Sequence, residues 1–250
     1  MNDAQRAARG GLSILCLQFE VIGDRPDWPV VRVLADGQGP FAAIAPGWRG
    51  FDPAKMLGPR SPFLPVDQGR RVAVYCCSCG EPGCGVIAPV IFPSPGGRKV
   101  SWTDSRDYAG VFADPVTESA SEDEGRPWDL PDVHFNREQY VAEIERASRG
   151  RSWETDRRRT ARLVCQRLQP LGLALPPDLS LAWASPAWRE DGVTLMFQRV
   201  TRAPRFQVRQ QMLRLTSTLK DPDQAADDIA QQLLATPPGG WVDTFGSHAA

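Results

Sequence analysis

Between two apolar runs, 71–77 and 85–92, the chain places Cys76-Cys77-Ser78-Cys79-Gly80-Glu81-Pro82-Gly83-Cys84-Gly85. That arrangement constrains the fold more than any other feature. Short apolar stretches bounded by glycine and proline read as strands, so the cysteine segment is expected at the tip of a hairpin. Gly96-Gly97 supplies a second turn before Val100 and Trp102 open a third strand. Residues 71–103 should therefore form an antiparallel meander. Pro89 lacks a backbone donor, which predicts an edge position or a bulge.

Outside the meander, Leu15, Leu17, Phe19 and Val21 alternate with Gln18 and Glu20, the pattern of a half-buried strand within 12–22. The stretch from Gly23 to Pro65 is dense in proline and glycine. It offers an apolar piece at Val30 to Leu34 and one helical turn after Asp52-Pro53. An acidic segment, 113–127, shows no apolar period and reads as a mobile loop. A helix is expected at about 137–149, with Asn136 as cap, Gln139 completing a capping box and Phe135 stapled onto Tyr140. Its buried face would carry Tyr140, Val141 and Ile144.

A second helix, about 153–171, carries Trp153, Thr160, Leu163, Val164, Leu168 and Leu171 on one stripe. Strand-like runs follow at 179–183, 193–200 and 206–216, with Asp191-Gly192 as a turn. The last helix starts after Asp221-Pro222 and turns Ala225, Ala226, Ile229 and Leu233 inward. The fold class is α+β: an antiparallel β-rich unit at 11–150 with a cysteine-tipped hairpin, then a small α-β-β-β-α unit at 151–250.

Composition limits the function classes. The net charge is −1, so no bulk field holds the chain on nucleic acid or an anionic membrane. Only Lys55, Lys99 and Lys220 among the 29 basic residues are lysines, a bias that reads as G+C-rich coding. Met1 to Gly10 lacks the apolar core of a secretion signal, and no run approaches the roughly 18 apolar residues of a membrane span. A cytoplasmic location with reduced thiols is expected, which favours metal binding over structural disulfides.

Thiolates a few residues apart on a glycine-rich turn can converge on one ion, and zinc takes four such donors at about 2.3 Å. Cys76, Cys77, Cys79 and Cys84 form the candidate set. A second C-x2-C or an H-x3-H is missing, so the site closes locally or borrows His134. Three readings stand side by side: zinc, an inert turn in which cysteines serve as small apolar residues, and a redox pair, for which Cys79 with Cys84 is the best match. Cys76 discriminates. Turned toward the other three it completes a four-sulfur set; turned into the sheet it leaves the cluster as architecture. Cys16 and Cys165 sit in apolar patterns and read as core residues.

The motif Cys77-Ser78-Cys79-Gly80-Glu81-Pro82-Gly83-Cys84-Gly85, with Val100-Ser101-Trp102-Thr103-Asp104 and Phe135-Asn136-Arg137-Glu138-Gln139-Tyr140, resembles a group of uncharacterised proteins of high-G+C Gram-positive bacteria. The resemblance spans about residues 12–149. In that group the pattern is C-x-C-G-x2-G-C, which Cys77, Cys79 and Cys84 match and to which Cys76 is extra. It implies no activity.

Other chemistry is sparse. The two histidines, His134 and His248, make a histidine-dependent triad a poor fit, and Asp104, Asp107, Asp129 and Asp132 lack catalytic spacing. Gly37-Gln38-Gly39-Pro40-Phe41-Ala42 imitates a dinucleotide fingerprint, but Pro40 and Pro46 leave no room for its helix. Arg157, Arg158, Arg159 and Arg162, with Arg205 and Arg209 later, read as a solvated face paired with acids, so nucleic acid is disfavoured. Trp128 and Trp241 are the tryptophans expected to be exposed for an unknown protein partner. The leading expectation is a non-catalytic binding or interaction protein with structural zinc, and the alternative is a thiol-dependent redox enzyme or sensor.

Overall fold

The computed structural model describes residues 11–246 except 24, 118–119, 121–123, 129, 169–174, 176–177 and 202–206. The chain is α+β with antiparallel sheets and divides into two units, Met1–Trp153 and Glu154–Ala250. At the end of the first unit the Trp153 ring packs on Phe19, 6.2 Å between centroids.

In the first unit, β1 (Leu15–Val21) and β2 (Pro29–Ala35) form a hairpin. The main sheet is built from β3 (Arg49–Gly50), β4 (Arg70–Arg71), β5 (Tyr75–Cys76), β6 (Val86–Pro93), β7 (Lys99–Tyr108), β8 (Arg126–Pro127) and β9 (Val133–Asn136). Single backbone bonds join the hairpin to this sheet on both sides, Val31 N–H to the Phe51 carbonyl at 2.8 Å and Ser13 N–H to the His134 carbonyl at 2.7 Å. The strands thus run in a ring around one apolar core that includes Leu17, Val33, Phe63, Val86, Trp102 and Phe135.

The run 71–77 is not one strand. Ala73 N–H turns away to the Pro115 carbonyl, while Val72 and Val74 bond Pro89 and Ile87. Pro89 sits at a bulge, where the register of β6 against β7 shifts between Ala88 and Val90. A missing donor in a central strand is accommodated there.

The acidic segment is fixed near its start, where Asp114 pairs with Lys55 at 2.5 Å and Pro115 accepts from Ala73, and at its end, where β8 joins β7. Its Glu118, Glu122 and Asp123 lie outside the described residues.

One helical turn, α1 (Pro53–Met56), is capped by Asp52, which accepts from Ala54 N–H at 2.8 Å. Helix α2 (Arg137–Arg149) follows β9, with Asn136 accepting from Gln139 N–H at 3.1 Å and Phe135 against Tyr140 at 5.3 Å. The capping box is incomplete, since the Gln139 side chain reaches Leu15 instead, accepting from its N–H at 3.1 Å and donating to its carbonyl at 2.7 Å. One helical turn on, Glu143 accepts from Leu17 N–H at 2.6 Å and Arg146 donates to Leu17 C=O at 2.8 Å. Helix side chains therefore satisfy the free edge of β1, which blunts pairing with another chain. Burial pushes the Glu143 carboxyl up, but the hydrogen bonds from Arg146 and Leu17 outweigh it and hold the group below the usual carboxylate range. That stabilisation is complete above the unfolded carboxyl pKa and is lost as pH falls through the lower folded value.

The second unit runs, in chain order, α3 (Asp156–Leu168), a three-stranded sheet of β10 (Leu179–Pro186), β11 (Val193–Thr201) and β12 (Gln207–Leu215), α4 (Pro222–Ala235), which packs against α3, and a final α5 (Trp241–Phe245). Ala161, Val164, Leu168, Ile229 and Leu233 share a core with Leu195, Phe197 and Leu213. Helix α3 starts later than the apolar stripe suggested, and Leu171 lies outside the described residues. Four of its arginines are engaged by their own unit. Arg159 meets Asp223 at 2.5 Å, Arg162 meets Glu154 at 2.6 Å, Arg167 meets Asp227, and Arg157 donates to the Ala187 carbonyl at 2.8 Å.

The expected exposure of Trp241 is overturned. It is 1% exposed, 4.9 Å from Phe197, and its indole N–H donates to the Leu233 and Thr236 carbonyls. Trp128 is half-buried beside Trp48, whereas Trp28, Trp183 and Trp188 are the exposed indoles. Cys16 and Cys165 are half-buried rather than core residues. Among the described residues, no helix is long and apolar enough to cross a membrane.

Candidate metal centre

The cysteine segment closes the hairpin between β5 and β6. Cys77 N–H bonds the Gly85 carbonyl at 3.0 Å, and Gly80 N–H returns to the Cys77 carbonyl at 2.9 Å. Gly80 has φ +84°, a conformation that side chains rarely adopt. A 3-10 turn, Pro82–Cys84, follows with Glu81 as its cap and brings Cys84 back over the first turn. The tip is braced from outside by Gly110 N–H on the Gly83 carbonyl, 2.8 Å.

This path gathers three of the four expected ligands. The sulfurs of Cys77, Cys79 and Cys84 all lie within 4.8 Å of one another, and those of Cys77 and Cys79 are 2.8 Å apart. An ion in a tetrahedron of sulfurs at about 2.3 Å needs them about 3.8 Å apart, so the Cys77–Cys79 pair, at 2.8 Å, would open by about 1 Å on binding. All six cysteines are free. The group can hold a metal ion.

The structure does not bring Cys76 into the group. Strand alternation sends successive side chains to opposite faces, and Cys76, 3% exposed, points into the core with its Sγ 3.6 Å from the Arg49 carbonyl. Burial pushes its thiol up to about 11. His134 is also elsewhere, on β9, with Nδ1 2.8 Å from the Ser101 hydroxyl. The local donor set is three sulfurs, of which those of Cys79 and Cys84 are exposed.

The three sulfurs differ electrically. The Cys79 thiol is held below its ordinary value by hydrogen bonding from Cys77 and then by the Glu81 N–H, which lies 3.4 Å from its Sγ. The Cys84 thiol is pushed up to about 11 by its hydrogen bonds to Cys77 and Cys79. With Cys79 favoured as thiolate, a second thiolate at Cys84 is costly, and a bound cation relieves that repulsion.

Three further residues border the tip, none marked by a local motif. A Cβ at Gly85 would stand 3.5 Å from the Trp48 ring, 3.9 Å from an Asp107 carboxylate oxygen and 4.0 Å from the Cys77 Cβ. One at Gly80 would stand 3.9 Å from an Arg49 guanidinium nitrogen. Burial pushes the Asp107 carboxyl up, opposed by Arg126. Only the pairing of β3 with β5 and of β6 with β7 brings these residues here.

No family model, curated protein or solved structure matches the chain.

Proposed function

We propose that this is a non-catalytic binding protein in which Cys77, Cys79 and Cys84 hold one zinc ion that staples the hairpin tip. The observation that carries the reading is the convergence of three sulfurs at a solvent-facing position. An inert turn would use its cysteines as small apolar packers. Cys76 does so, but Cys79 and Cys84 are exposed. Thiolate donors favour zinc among the common divalent ions, and six free cysteines suit a reducing cytoplasm. A protein partner would supply the fourth donor or cover the tip. The self-paired arginines of α3 leave little charge for a nucleic-acid backbone.

A second reading rests on one observation, the lowered pKa of Cys79 next to two other sulfurs. A thiolate so placed is suited to redox exchange with Cys77 or Cys84. Elemental analysis of tag-free protein separates the two. About one zinc per chain, with these thiols slow toward a disulfide reagent until a chelator is added, is the expected result. Metal-free protein in which Cys79 reacts fast would put the redox reading in its place.

A further inference from the structure

A cavity of about 360 Å³ opens in the first unit beside β3. Its volume falls in the range of small-molecule sites. Phe41, Trp48 and Tyr75 line it with aromatic surface, while Arg32, Arg49 and Glu20 supply its charged groups. The Tyr75 hydroxyl is already committed, accepting from Val33 N–H at 3.0 Å and donating to the Val33 carbonyl at 3.1 Å. Tyr75 is therefore a wall. Its ring is fixed edge-on to Phe41, 5.7 Å between centroids.

The two arginines are not equivalent. Arg32 faces Glu20 at 3.9 Å, a pair half-exposed on both sides. The half-buried Arg49, by contrast, makes no side-chain hydrogen bond or ion pair among the described residues. A guanidinium is always charged and presents a planar fork of donors that matches a carboxylate. An anion entering the cavity would give that unmatched fork a charged partner.

We infer that this cavity binds a small organic anion with a planar apolar body and a carboxylate, the ring against Trp48 and Phe41 and the carboxylate on Arg49. The binding site does not rest on the zinc reading. It is, however, adjacent to the metal centre, because Trp48 and Arg49 also border Gly85 and Gly80 of the cysteine tip.

Naphthoate is the test probe, titrated against the full chain, with and without added zinc, and followed by tryptophan emission and the Trp48 indole N–H resonance. Saturable binding is expected, at least tenfold weaker for naphthamide, which keeps the shape and loses the charge. Arg49→Gln should weaken naphthoate at least tenfold, and Arg49→Lys should recover only part, since a point charge lacks the fork. Arg126→Gln, outside the cavity lining, should leave binding unchanged, and melting curves of the variants check that the fold is retained. Equal binding of naphthamide, full affinity in Arg49→Gln, equal binding of inorganic phosphate, or no saturation at all would overturn the assignment. Each outcome is read in zinc-free protein as well, so a failed metal site and a failed cavity remain distinguishable.

Discussion

Replacing Cys79 by serine should lower zinc affinity more than about 100-fold, beyond what the loss of an outer-shell partner costs. Cys79 is the donor most readily charged, 2.8 Å from the Cys77 sulfur and stabilised as an anion by the Glu81 N–H. A serine hydroxyl is not deprotonated near neutral pH and is a harder donor, so two sulfurs would be left to hold the ion. Cys76→Ala should do the opposite. Its sulfur is buried in the core and faces the Arg49 carbonyl, so its loss should leave zinc affinity within about twofold while destabilising the fold by roughly 1–2 kcal/mol. Competition against a chromophoric chelator reads the first quantity and urea unfolding the second. Equal loss of affinity in both variants would return Cys76 to the donor set.

The largest effect on stability is expected from Gly50→Ala. A Cβ there would overlap the backbone carbonyl of Val31, and backbone cannot yield as the end of a flexible side chain can. Gly50 thus lets β3 approach β2, the join that Val31 N–H seals onto Phe51. Forcing the strands apart would open the ring of strands beside the core and disturb the Arg49–Cys76 register at the foot of the tip. A loss of about 3 kcal/mol or more is expected in urea unfolding of the first unit, or failure to fold. Gly239→Ala is the control: no atom lies within 4 Å of its added Cβ, and a change within about 0.5 kcal/mol is expected. A Gly50→Ala chain as stable as the parent would show that β2 and β3 are not in this contact.

Locally encoded features were legible in the sequence. Asn136, Phe135 and Tyr140 mark the start of α2 by side-chain chemistry within five residues, and Asp221-Pro222 does the same for α4. Pro89 announces its bulge because a missing donor has few places to go. What depended on distant partners was not legible. The side chain of Gln139 fits a capping box on paper, but an edge strand 124 residues earlier offers it two backbone bonds. After α4 the chain turns back through Pro238–Gly240 and buries Trp241 against Phe197 of β11 and the end of α4, a contact that no local pattern announces. At the tip, strand alternation separates Cys76 from Cys77, but which of them faces the core is set by the pairing with Arg49–Gly50, 27 residues upstream. Trp48, Arg49 and Asp107 were invisible for the same reason.

X-ray absorption at the zinc edge of loaded protein tests the three-sulfur centre most directly. Three sulfur scatterers at about 2.3 Å and one lighter oxygen or nitrogen neighbour are expected from Cys77, Cys79, Cys84 and a fourth, non-sulfur ligand. Four sulfurs, which would require Cys76 to leave the core, or a shell without sulfur would contradict it.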